Sequence, residues 1–150
     1  LSNDELLEIL SETKDPLRVQ PHLRKCFEGI KGVQFQDDLT ITGMTSPEQE
    51  FVPFVAPVDP KNKNIEFWMG EVKDAMMAAI RDNMMKSIVD YNLCPRTVWM
   101  QKWAAQCILN GSQAHWTREV EESLKTGGNE GCFAYYEQLK RQLEDMVILI

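Results

Sequence analysis

Histidine is scarce in this 150-residue chain, with two copies, and its four cysteines stand far apart with no Cys-x-x-Cys pair among them. That spacing excludes a zinc knuckle and a thioredoxin-type redox motif, since a structural zinc needs four close ligands. No apolar run approaches the roughly 20 residues that cross a bilayer, and no basic-apolar leader opens the chain, so no membrane partner is expected. Basic clusters are lacking too: the densest is the pair Arg24-Lys25, in a chain of net charge −7. Such a balance excludes a surface that neutralises several phosphates, and with it a nucleic-acid partner. What remains is a cytosolic-type protein whose thiols Cys26, Cys94, Cys107 and Cys132 read as small buried hydrophobes.

Against these absences stands one dominant presence, the stretch from Asn64 to about Tyr91. Apolar residues recur there at Ile65, Trp68, Met69, Val72, Met76, Ala79, Ile80, Met84, Ile88 and Tyr91, a three-or-four spacing broken by neither proline nor glycine except Gly70. It predicts a helix about 40 Å long, more than a small domain usually needs. The length of the chain suits one domain with a real core. Its opening on Leu1 and its close inside the apolar run Val147-Ile148-Leu149-Ile150 read as an excerpt of a longer protein.

Ser2 and Glu5 form a capping box ahead of Leu6, Leu7, Ile9 and Leu10, predicting a helix from Asn3 to near Thr13. Asp15-Pro16 is a stop and a fresh start, followed by helix from Pro16 or Pro21 to about Ile30. The period then falls to two. Val33, Phe35, Leu39 and Ile41, followed by Phe51-Val52-Pro53-Phe54-Val55 across a polar segment, predict a β-hairpin around 39–55, with Pro53 on an edge. Residues 56–64, with Pro57 and Pro60, predict an exposed connection. Beyond the long helix, Pro95 opens another with Val98, Trp99, Trp103, Cys107 and Ile108 on its face; Gly111-Ser112 predicts a kink or a break, and 126–131 a loop before a last helix through Phe133, Tyr136, Leu139, Leu143 and Met146. The fold expected is mainly α, long antiparallel helices in an elongated bundle with one small hairpin. Its organisation is helices over 1–32, the hairpin segment over 33–58, a long helical hairpin over 62–125, and the start of a further helix over 132–150. Trp68, Trp99, Trp103 and Trp116 are expected as shared core between the paired helices.

Candidate chemistry is thin. Gly127-Gly128-Asn129-Glu130-Gly131 has the glycines of a phosphate loop, but Cys132-Phe133 follows where Lys and Ser or Thr are needed. His22 and Cys26 at i and i+4 supply two metal ligands where three or four are required. Cys107 with His115, or Cys26 with His22, would need a third orienting group and a low thiol pKa, and the apolar neighbours Ile108 and Phe27 work against it. Asp37-Asp38 and Glu121-Glu122 read as solvated acids. No catalytic, metal or cofactor residue is assigned.

Several collinear pieces carry a resemblance: Leu1 to Leu10, Pro21-His22-Leu23-Arg24-Lys25-Cys26-Phe27-Glu28-Gly29-Ile30, Ile41-Thr42-Gly43-Met44 leading to Val52-Pro53-Phe54, Trp116-Thr117-Arg118-Glu119-Val120-Glu121, and Leu139 to Val147. Together they resemble the linker of dynein heavy chains, the axonemal branch more than the cytoplasmic one. The resemblance implies an arm that swings over an AAA+ ring and converts ATP hydrolysis into microtubule-based movement of cilia or flagella. ATP and Mg would then bind elsewhere in the parent, and the partners would be the ring of the same heavy chain, microtubules and other dynein subunits in the axoneme. It also implies a ring contact at Met44, Glu48, Gln49, Glu50 and Phe51. Flexing is expected at Pro57 and Pro60 and at Gly111. The competing class is a non-motor helical adaptor or regulatory interaction domain, which would lack a phosphate-loop ATPase after Ile150.

Overall fold

The computed structural model describes residues 2–4, 7, 11 and 15–149; the predicted cap at Glu5 and the apolar positions Leu6, Ile9 and Leu10 lie outside the described residues. The chain is mainly helical with a small antiparallel sheet, and it divides into two compact units, Leu1–Asp82 and Asn83–Ile150.

In the first unit, helix α1 spans Pro16–Cys26. Asp15 caps it by accepting the Leu17 N–H at 3.0 Å, and Pro16 fills the first turn, where a missing N–H costs nothing. Val19 and Leu23, four apart, are buried. The helix stops before Phe27, whose extended backbone still donates to the Leu23 carbonyl at 2.8 Å, so Ile30 is buried outside the helix rather than at its end.

Three strands follow, β1 (Gly32–Phe35), β2 (Ile41–Thr45) and β3 (Phe51–Val58), in the order β1-β2-β3. The expected hairpin is therefore two arms of a three-stranded sheet. Leu39, expected to alternate within a strand, sits instead in the β1–β2 turn at φ 67°, with Asp38 accepting the Thr40 N–H and hydroxyl at 3.0 and 2.8 Å. The register sets Val33 opposite Met44 and Met44 opposite Val52, and these three are buried together with Ile41, Phe54 and Val58. β1 is an edge strand, and α1 lies against it. The Gln20 side-chain amide substitutes for a neighbouring strand there: its Nε2 donates to the Val33 carbonyl at 2.7 Å and its Oε1 accepts the Val33 N–H at 3.3 Å. β3, with Pro53 and Pro57, is the opposite edge, where proline costs no ladder bond.

Helix α2, Ile65–Asp90, is the long helix. Its start is fixed by the Asn64 carbonyl, which accepts from Phe67 and Trp68, and Ile65, Trp68, Val72 and Ala79 are its buried residues in the first unit.

The second unit holds the end of α2, the short helix α3 (Arg96–Lys102) and helix α4 (Ala105–Ile148). The break expected at Gly111 is absent. It falls earlier, at Trp103 and Ala104, both extended. The expected 126–131 loop shrinks to one non-helical residue, Gly128 (φ 53°, ψ −131°), a backbone geometry that favours glycine. There α4 folds back on itself: Tyr135 reaches Glu119, and Gly131 lies against the Ser123 backbone.

Trp99, fully buried, is the centre of this unit. Its Nε1 donates to the Ser87 carbonyl at 2.7 Å, and the Tyr91 ring meets it edge-on with centroids 5.2 Å apart. Gly111 is where the indole comes closest to α4: a Cβ there would stand 3.1 Å from Trp99 Cζ2. Trp103 is half-buried and Trp116 is 53% exposed, so the core expected to hold all four tryptophans does not include Trp116.

Candidate functional site

The β2–β3 turn is built by Ser46. Its Oγ accepts the N–H groups of Glu48 and Glu50, each at 3.2 Å, while its own N–H donates to the Glu50 carbonyl at 2.9 Å. Gln49 closes the turn at φ 73°. The result presents Glu48 and Gln49 to solvent and leaves Glu50 half-buried. Phe51 is 48% exposed, with its ring lying over the Gly43 backbone: a Cβ on Gly43 would meet ring carbons at 2.5 Å. Met44 does not join this surface. Facing Val33 and Val52, it is 5% exposed and serves the core, because the register turns it to the opposite face from Gly43. The outer side of β3 continues from Phe51 through Pro53, Val55 and Pro57, all exposed.

The connection from β3 to α2 is tighter than its composition suggests. Pro57 is exposed but Pro60 is buried, and Asp59 accepts the Lys61 N–H at 3.0 Å while Asn62 takes φ 58°.

The candidate reactive pairs stay apart from any organised chemistry. Burial pushes the Cys26 thiol up, opposite to what a nucleophile needs. The His22 Nδ1 is buried without a hydrogen-bond partner among the described residues. His115 stacks on Tyr91 with centroids 3.8 Å apart, and its Nε2 pairs with the Ile88 carbonyl at 3.1 Å; burial holds the imidazole below the usual histidine range, with the Arg118 charge adding to it. Cys107 is eight positions away on the same helix, about 12 Å along its axis. Glu121 and Glu122 pair with Lys125 and Arg118 one turn away, as solvated helix acids do. Among the described residues, no group of three or more His, Cys, Asp and Glu side chains is placed to hold a metal ion.

One constellation was invisible to sequence reasoning. Between the α4 arms and the end of α2 lies a partly open cavity of about 260 Å³, lined among others by Tyr91, Arg96, Ser112, Trp116, Glu119 and Tyr135. Tyr135 donates to Glu119 at 2.9 Å across the fold-back, and burial followed by that carboxylate pushes the phenol far up. Only the reversal at Gly128 brings positions 119 and 135 together, so no local pattern announces them.

The first unit thus carries a sheet with an exposed turn and an apolar outer edge, and the second is a helical unit with an aromatic centre. Residues 1–87 match the family described as dynein heavy chain, N-terminal region 2, and the chain belongs to the dynein heavy chains. It is 47% identical to dynein axonemal heavy chain 1 of Homo sapiens and 45% identical to dynein axonemal heavy chain 12 of Rattus norvegicus, in both cases over its whole length. To dynein axonemal heavy chain 3 of Mus musculus it is 52% identical over 83% of its residues. It spans 3% of the first and third of these relatives and 5% of the second.

Proposed function

We propose that the chain is a stretch of the linker of an axonemal dynein heavy chain, the arm that swings across the AAA+ ring and converts ATP hydrolysis into microtubule-based movement in the axoneme of cilia or flagella. The observation that carries this reading is similarity to axonemal heavy chains running from the first residue to the last. In this reading the helices belong to an elongated antiparallel arm completed by the rest of the parent. ATP and Mg bind in that parent outside these residues, and its partners are its own ring, microtubules and the other dynein subunits.

The ring contact is the β2–β3 turn, with Glu48, Gln49 and Phe51 touching the ring, Glu50 shaping the turn, and Met44 supporting the sheet from beneath. Flexing is assigned to the connection through Pro57 and Pro60 ahead of Gly111, because the Trp99 indole packs on Gly111. In the full-length heavy chain, replacing Glu48 to Phe51 by a Gly-Ser turn is expected to slow ATP-driven microtubule gliding and weaken binding of the arm to the isolated ring. Unchanged gliding together with unchanged binding rejects the contact.

A further inference from the structure

Arg96 is the least satisfied charge around the second unit's cavity. It opens α3 behind Pro95 and is half-buried, yet makes no ion pair among the described residues. Its guanidinium lies 5.8 Å from the Tyr91 ring centre and 5.9 Å from that of Trp99. Its two hydrogen bonds are long, 3.5 Å to the Tyr91 hydroxyl and 3.3 Å to the Ser112 hydroxyl, and both acceptors are neutral. The Nε is buried with no partner. A guanidinium whose hydrogen bonds go only to neutral hydroxyls is matched by a planar carboxylate, which accepts two parallel N–H bonds. Glu119, the acid lining the same cavity, already accepts from Tyr135.

We propose that this cavity is a receptor for one acidic side chain, Asp or Glu, carried by a segment of the parent heavy chain outside these 150 residues. A polypeptide source is favoured over a free carboxylate by two observations. The cavity wall and the helix that bears it expose large apolar side chains, Trp116 at 53%, Tyr136 at 55% and Leu143 at 60%, which suit a covering helix or loop better than an ion. Relatives of this chain are twenty or more times longer than the part it spans, so such a segment has somewhere to come from. The inference rests on the proposed function only in taking the chain as part of a heavy chain; it does not involve the β2–β3 turn or the swing.

The test is made in the full-length heavy chain carrying R96K, which keeps the cation and gives it an amine that a carbodiimide joins to a contacting carboxylate. Reaction is carried to the point where Lys102 couples to Asp90, its partner at 2.9 Å. Mass spectrometry is expected to find position 96 joined to an Asp or Glu beyond residue 150 or before residue 1. A link to Glu119 alone, or no link at position 96, overturns the proposal, and the second result is also the one a free small carboxylate would give. Exchanging the linked acid for lysine in an R96E background is then expected to recover the melting temperature lost in R96E alone; no recovery also overturns it. Slow gliding after the turn replacement does not bear on this result, so the two readings fail separately.

Discussion

Replacing Gly131 by alanine tests the closure of the α4 fold-back most directly. A Cβ built on Gly131 falls well inside van der Waals contact with the Ser123 carbonyl oxygen and stands 3.2 Å from its carbonyl carbon. Both are backbone atoms of the opposing arm, so no side-chain rotation relieves the clash and the two arms must separate. Overpacking of this kind costs about 1–3 kcal/mol. The substitution also removes a helical glycine, which returns about 1 kcal/mol. With a neighbour that cannot yield, the upper part of the overpacking range applies, and the net loss is about 1–2 kcal/mol.

Gly127→Ala is the matched control. It lies in the same helix four residues earlier, and a Cβ there meets nothing within 4 Å. That variant should gain about 0.5–1 kcal/mol. Urea unfolding of the chain followed by tryptophan fluorescence reads both through the midpoint at constant slope. A Gly131→Ala protein as stable as Gly127→Ala would refute the close approach, and with it the pairing of Tyr135 with Glu119 that depends on it.

Trp99→Ala should cost about 3–5 kcal/mol, whereas Trp99→Phe should cost nearer 1 kcal/mol for the lost hydrogen bond, because the Ser87 carbonyl still accepts the Tyr91 N–H; thermal unfolding of the two variants should separate them. Gln20→Ala strands the N–H and carbonyl of buried Val33 and should lower stability by about 1–3 kcal/mol, read as faster hydrogen exchange at Val33. His115, held below the usual range by burial, is more easily protonated in the unfolded chain than in the folded one. Its contribution is therefore fully present above the unfolded value of about 6.5 and is lost as pH falls from there toward the folded value. His115→Gln should remove that part of the pH dependence of the unfolding midpoint.

The long helix was legible because its burial repeats every three or four residues within one stretch, Ile65, Trp68, Val72, and the edge position of Pro53 was legible because proline has no N–H. β1 was not recognised as a separate third strand: it is only four residues long, and its edge is completed by Gln20, thirteen positions from its partner Val33. The placement of Met44 failed for a related reason. Ile41-Thr42-Gly43-Met44 alternates acceptably with either face inward, and only the pairing of Thr45 with Phe51 decides which. The glycines show the same limit more sharply. Gly111 and Gly128 look alike as helix breakers, yet one is a slot for an indole inside continuous helix and the other is the point of reversal. What separates them is the backbone, helical at Gly111 where the Trp99 indole packs and at positive φ at Gly128. Arg96 shows the same limit for charge: its acceptors Tyr91 and Ser112 come from the turn after α2 and from the first arm of α4, and the cavity it lines is completed by Tyr135 and Leu139, which reach it only after α4 has turned back.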